Sequence, residues 1–204
     1  MNFIGRRTFV AATFLAALAP AGSQPAPPRP KRIRGTITSV MGDTIIVRTR
    51  SGDSVTLALA PDLTVTEYYP VDAAEVKVGT FVGVGAFPQP DGSQRAIAVL
   101  VFPESRRGSG EGHYPFDFAP ESTMTNATVA EVMGSIDGNR LLVRYKEGEK
   151  IIVVPPGTPI VSFRPADRTL VVQGASVSLL ATETDGKATA TRMAAGRNGF
   201  AVPY

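Results

Sequence analysis

Alternation of apolar and polar positions with a period of two dominates this chain, and it predicts strands rather than helices. Ile33, Gly35 and Ile37 fall on one face of a first segment, and Val55, Leu57 and Leu59 alternate with Ser54, Thr56, Ala58 and Ala60 in a later one. Such alternation is the mark of half-buried β-strands. Met41-Gly42-Asp43 and Arg50-Ser51-Gly52-Asp53 separate the runs with turn chemistry, glycine supplying positive φ and aspartate bonding its own backbone. Asp72-Ala73-Ala74-Glu75-Val76 predicts one helical turn capped by Asp72 and closed by Gly79. Strands over Thr80–Ala86 and Gln94–Phe102 follow. Gly83 and Gly85 interrupt the first of these, where glycine marks a bend or a close backbone approach.

The same order of elements then returns. Gly35 to Met41 (GTITSVM) matches Ala127 to Met133 (ATVAEVM), Ile45-Ile46-Val47-Arg48 matches Leu141-Leu142-Val143-Arg144, and Gly79 matches Gly174. The offset stays near one value, about 92 to 95 residues, which is the signature of duplicated architecture. In the second copy strands are predicted over Thr128–Val132, Arg140–Lys146, Lys150–Val154, Ala175–Ala181 and Ala188–Met193, with no element assigned around Arg164–Leu170. Three meandering strands, a helical turn and two more strands describe a small five-stranded barrel of the OB type. The expected fold is therefore all-β, with two tandem OB-like barrels at residues 33–102 and 126–196, a connecting loop at 103–125 and a short tail at 197–204.

Ahead of the barrels, Arg6 and Arg7 precede an apolar run from Thr8 to Ala19, and Ala19-Pro20-Ala21 offers a cleavage site. This reads as an export signal over residues 1–21, and Gly5-Arg6-Arg7-Thr8-Phe9-Val10 resembles the twin-arginine variant. The run is shorter than the roughly 20 residues a spanning helix needs, and no later stretch is long enough either. The expected location is the periplasm or the medium, with no integral membrane span after signal removal. Residues 22–32 are rich in proline and form a stiff, solvated spacer.

Charge changes little in this picture. The chain carries 21 basic and 18 acidic residues, but Arg6 and Arg7 leave with the signal, and Arg29, Lys31, Arg32 and Arg34 crowd the segment before the first strand. A basic face for nucleic acid is not indicated. The chain has no cysteine, which excludes disulfides, thiol nucleophiles and cysteine-held metals.

The connecting loop holds the candidate chemistry. It contains the only histidine, His113, together with Tyr114, Phe116 and Phe118, so it acts either as a lid over a site or as an apolar plug. Glu111, His113, Tyr114 and Asp117 are its candidate ligand contacts. Gly108, Gly110 and Gly112 have no helix after them and do not form a phosphate cradle. A soft metal would draw on His113 and Met124, with Met133 and Met193 also available. The turn aspartates Asp43, Asp53, Asp91, Asp137 and Asp185 have ordinary backbone roles to fill. A hydrolase would need Ser105 or Ser109 to meet His113 and Asp117. Exposed aromatics for stacking are Tyr68, Tyr69 and Tyr145, while Phe81, Phe87 and Phe102 are expected in the core.

Arg34 to Val40 (RGTITSV), Val78-Gly79-Thr80-Phe81-Val82 and Asp91-Gly92 before Ala96–Val101 together resemble a family of uncharacterised secreted bacterial domains of unknown function. Gly110-Glu111-Gly112-His113 with Ser122–Asn126 is similar to members that carry two copies. The resemblance implies the fold and export, and brings no catalytic residues with it. The expected function is that of an exported, non-catalytic tandem-barrel binding or scaffold protein, without cofactor, whose partner is an unknown small molecule or envelope protein. A periplasmic metal-handling accessory using His113 and methionines, or a cell-envelope hydrolase, are the alternatives.

Overall fold

A computed structural model describes residues 30–204, apart from 136, 137 and 185. Residues 1–21, where the sequence predicts an export signal, spacer residues 22–29, and Asp137 and Asp185 lie outside the described residues. The fold is all-β, and no helix among the described residues is long and apolar enough to cross a membrane. The strands are β1 Lys31–Met41, β2 Thr44–Thr49, β3 Ser54–Pro70, β4 Phe81–Pro88, β5 Gln94–Val101, β6 Gly112–Pro115, β7 Thr123–Ser135, β8 Gly138–Tyr145, β9 Gly148–Val154, β10 Ile160–Ala166, β11 Ser176–Thr184 and β12 Lys187–Gly196.

The meander β1-β2-β3 forms as the alternation predicts, with Ile37, Ile45, Val47 and Leu57 fully buried on one face. Its closure differs from expectation. β11 pairs antiparallel with β1, β12 pairs antiparallel with β11, and β12 runs parallel to β3, so a five-stranded barrel closes around Ile37, Leu57, Val65, Leu179 and Met193. The two strands that complete the first meander thus come from residues 126–196, not from 33–102. The remaining strands reciprocate. β4 and β5 lie beside β7-β8-β9 in the order β5-β4-β7-β8-β9 around Val82, Val84, Val99, Leu141 and Ile152, and β9 returns to β5 in parallel at Gln94 and Arg95.

The exchange follows from the length of β3. The pattern suggests a strand ending near Ala60, but β3 runs on to Pro70. Between Leu59 and Thr64 its register against β12 shifts, and Pro61, which has no N–H to give to a ladder, sits in that irregular stretch. Arg168 donates to the carbonyl oxygens of Ala60 and Pro61 and pairs with Asp43, satisfying the interrupted backbone. Beyond the bulge, β3 pairs with β10, the segment that the sequence left unassigned. β10 in turn runs parallel to β5, so one twelve-stranded sheet is continuous through the molecule. β3 therefore carries the chain out of the first barrel and delivers β4 and β5 to β7.

Matching irregularities recur at the offset seen in the sequence. β1 bulges against β2 between Ile37 and Ser39, and β7 against β8 between Val129 and Glu131. β4 against β5 shifts between Gly85 and Ala86, and β11 against β12 between Leu180 and Ala181. Asp72 caps a single 3₁₀ turn at Ala73–Glu75, as expected, and Asp167 does the same for Arg168–Leu170.

Where β3 leaves the barrel, Glu67 is buried at 4% exposure and lies between two arginines. Arg164, its partner in β10, donates from Nε and Nη2 at 3.1 Å each, and Arg197, just past β12, donates at 3.2 and 3.3 Å. These two forks fasten β3 to both neighbours at once. The hydrogen bonds from Arg164 and then Arg197 hold the Glu67 carboxyl below its ordinary range, against the opposing effect of burial. A carboxyl depressed on folding stabilises the native state above its unfolded pKa, and that stabilisation disappears as pH falls through the lower folded value. Melting temperature is therefore expected to fall below the ordinary glutamate range, and Glu67→Gln to lower it at neutral pH while flattening this acid limb. Melts followed by circular dichroism across pH test both.

The strand exchange makes a second expectation. Residues 30–102 expressed alone lack β11 and β12 and are expected to give no cooperative melt, and mixing them with residues 103–204 is expected to restore one.

Candidate functional site

Where the two sets of strands meet, their outer faces enclose a cleft of about 370 Å³. In β1, Ile33, Gly35 and Ile37 turn toward the barrel core, so Arg32 and Arg34 emerge on the outside, opposite Leu180 and Ser178 of β11. Ala194 of β12 continues the row beside Ser178. The facing wall is Leu100, Phe102, Met124, Asn126 and the segment Tyr114–Asp117. An adjoining hollow of about 300 Å³ shares Arg32, Tyr68, Phe102 and Ser178, and adds Arg106, Phe163 and Arg192. Tyr68 stacks on Phe163 with centroids 5.9 Å apart, and Phe163 meets Phe102 edge-on at 5.5 Å, giving an aromatic row along this junction.

The 103–125 connection packs into the junction. Its turn at Gly108–Gly112 wraps the side chain of Asn126, whose Nδ2 donates to the carbonyl of Gly110 at 3.0 Å and to the Tyr114 hydroxyl at 2.9 Å. Positive φ at Gly108, Gly110 and Gly112 permits that wrap, which accounts for the glycine spacing without a phosphate. Asp117 faces the arginines. Arg34 donates from Nη2 to Oδ1 at 2.6 Å and from Nη1 to the Asp117 carbonyl at 2.9 Å, while Arg32 Nε donates to Oδ2 at 3.1 Å. The Arg34 guanidinium also lies 5.5 and 5.8 Å from the ring centres of Phe116 and Phe118. Burial opposes ionisation of Asp117, but the two arginines together outweigh it and hold the carboxyl below its usual range.

β4 explains its glycines here. Val82, Val84 and Ala86 enter the second core, whereas Gly83 and Gly85 face the junction. A Cβ at Gly83 would stand 2.6 Å from Asn126 Oδ1, and one at Gly85 would stand 3.0 Å from the Tyr204 ring. The tail is thus part of the packing rather than a loose end. Val202 and Tyr204 are buried, Tyr204 meets Phe116 edge-on at 5.4 Å, and its hydroxyl donates to the Gly83 carbonyl at 3.3 Å. Burial pushes the Tyr204 phenol well up, so it remains a protonated donor.

Of the residues singled out from sequence, Tyr114, Asp117 and Met124 line the cleft. Glu111 is exposed and does not line it. His113 turns to the other side of the β6–β7 ladder, where Nδ1 lies 2.8 Å from Thr125 Oγ1 and the ring stacks on Tyr145 at 6.4 Å. Burial, then the charge of Lys150, lowers its pKa. His113 and Met124 consequently sit on opposite faces of one ladder, and no group of three histidine, aspartate or glutamate side chains among the described residues is arranged to hold a metal. His113 and Asp117 have separate partners, Thr125 for one and the two arginines for the other. Asp43 pairs with Arg168, and Asp53 and Asp91 accept from Ser51 and Ser93, as turn residues do.

Sequence reading missed Arg32, Arg34, Asn126, Ser178 and Tyr204. Lys31 and Arg32 belong to β1 rather than to the spacer, and Phe102 lines the cleft instead of entering a core. The signal for the arginines was their alternation with Ile33 and Gly35, which continues the strand period backwards past the expected linker boundary. Nothing local marked Ser178 or Tyr204.

Three buried side-chain atoms among the described residues have no hydrogen-bond partner: Arg34 Nε, Asn126 Oδ1 and Ser178 Oγ. All three residues line this cleft. Each such atom costs on the order of 1–3 kcal/mol, and their gathering at one place is a property of the site. Tyr204→Ala is expected to remove about 3 kcal/mol of stability, as truncation of a buried aromatic does, read as a lower urea midpoint. No protein-family model, no curated protein and no solved structure matches this chain.

Proposed function

We propose that this chain is an exported, non-catalytic binding protein built from two OB-type barrels that exchange their last two strands, with the cleft between them as its ligand site. The strand order supports the OB reading: in each set three strands meander, the fourth lies beside the first, and the fifth runs parallel to the third. Matching bulges at equivalent positions support duplication of one ancestral unit. The leader at residues 1–21 supports passage to the periplasm, by the general or the twin-arginine route, and the motifs around Gly35, Gly79 and Asp91 support kinship with the uncharacterised secreted domains they resemble.

The observation that carries the binding reading is that the three residues with buried, unpartnered side-chain atoms, Arg34, Asn126 and Ser178, all belong to the lining of one aromatic-walled cleft. Native proteins rarely leave such groups unmet, and a cleft of this size with aromatic walls and a few placed polar groups has the usual form of a small-molecule site. A small molecule is therefore favoured over an envelope protein as the occupant. The turning of His113 away from Met124 weighs against the metal-handling alternative, and its pairing with Thr125 while Asp117 is held by Arg32 and Arg34 weighs against the hydrolase.

Native mass spectrometry of the full-length protein purified from the cell envelope tests the reading. The expected spectrum shows an added small-molecule mass, lost in Ala194→Trp, which fills the cleft from the outer face of β12. An added mass that persists in Ala194→Trp, or none in the unaltered protein, counts against it.

A further inference from the structure

Taking the cleft as the ligand site, we infer that its ligand is an organic carboxylate with a flat apolar body, and that Phe116-Asp117-Phe118 is a built-in occupant which this ligand displaces. The cleft and its adjoining hollow are lined by Arg32, Arg34, Arg106 and Arg192 and by a single carboxylate, Asp117. The site is therefore cationic and selects an anion.

The manner in which Asp117 is held names the anion. Each of its carboxylate oxygens takes a hydrogen bond from a different arginine, and the residue is flanked by Phe116 and Phe118, whose rings stack at 6.2 Å and 12° against the same guanidinium. A carboxylate beside an aromatic face is thus already the preferred occupant. Exposure separates the fixed partner from the exchangeable one: the Arg34 side chain is 10% exposed and set in the wall, while that of Asp117 is 54% exposed and reaches in from solvent.

Asp117 is also an imperfect occupant. It engages Nη1 and Nη2 of Arg34 and leaves Nε buried and without an acceptor, and Ser178, the residue paired with Arg34 across the β1–β11 ladder, has a hydroxyl that is likewise buried and unpartnered. A free carboxylate, unconstrained by a backbone, takes the Nε–Nη2 edge of a guanidinium with two parallel hydrogen bonds and accepts a third from a neighbouring hydroxyl. The aromatic row of Tyr68, Phe163 and Phe102 then lies along the path of the ligand's body. Displacement costs the protein the Asp117 contacts, so the segment lowers apparent affinity in the way any competing bound state does.

Calorimetric titration of the full mature protein with 2-naphthoate, 2-naphthamide and 2-naphthyl phosphate provides the test. The unaltered protein is expected to bind the acid and not the amide, Asp117→Asn to bind the acid about tenfold more tightly, and Arg34→Gln to lose the preference for the acid. Phe118→Ala, which loosens the segment without removing a charge, is expected to shift affinity in the same direction as Asp117→Asn. Equal binding of acid and amide overturns the carboxylate inference but leaves the cleft as a binding site, and tighter binding of the phosphate ester reassigns the anion. Unchanged affinity in both Asp117→Asn and Phe118→Ala overturns the built-in occupant. If no probe binds any variant, the carboxylate inference falls alone when native mass spectrometry shows a retained molecule, and together with the binding reading when it does not.

Discussion

A strand can bury one face in only one barrel at a time, and β3 is too long for one. Its first half closes against β2, and past Pro61 it lies between β12 and β10. Everything else in the architecture follows from where that strand points as it leaves. Because it ends at Pro70 beside β10, the next hairpin, β4–β5, is delivered to β7 rather than back to β1. β1 and β3 are left with open edges, which are completed by β11 and β12. Glu67 stands at the crossing, where an unpaired buried carboxylate would be costly and two arginine forks make it a fastening instead.

The cleft is a by-product of this arrangement that the sequence then elaborates. Two sets of strands joined through β3 and β10 into one sheet leave a gap between them, and the chain fills it with large aromatic groups from three segments: Phe102, Phe116 and Tyr204. Small residues opposite them make the fit. Gly83 on β4 lets Asn126 and Phe102 come within 3 Å of where a Cβ would stand and Gly85 lets the Tyr204 ring come to 3.0 Å, so a larger residue at either position would force these side chains to shift. The polar groups of the junction are more unevenly served. Asn126 Nδ2 has three acceptors while its Oδ1 has no donor, and Arg34 is engaged at both terminal nitrogens but not at Nε.

Most strands were legible because the period-two pattern depends only on which face is buried, and that is the same whichever neighbour a strand acquires. Val55, Leu57 and Leu59 would alternate identically beside β12 or beside β5. Pairing partners were not legible for the same reason, and the expected grouping of strands 33–102 and 126–196 into separate units gave way to one barrel built from both stretches. β10 was hidden because Arg164-Pro165-Ala166 carries charge and proline where apolar alternation would mark a strand, although Val161 and Phe163 before them are packed and the strand pairs with both β3 and β5. In the candidate site, Tyr114 and Asp117 were found through the odd composition of their loop, and Met124 only as a soft-metal ligand for His113, which lies on the opposite face. Arg34 and Ser178 were not, since they meet through a ladder between β1 and β11 that no local signal announces.

The exchange of hairpins also bears on when the molecule becomes a folded object. Lys31, near the start of the described chain, is registered with Ala181 near its end, so the first barrel has no complete hydrogen-bond ring until almost all of the polypeptide is present. Contacts so distant along the chain slow folding, because loop closure is needed before burial rewards it. A nascent chain of this design leaves its first core open until the last two strands are made, whereas the second core, whose strands all lie between Phe81 and Val154, has its residues in hand earlier.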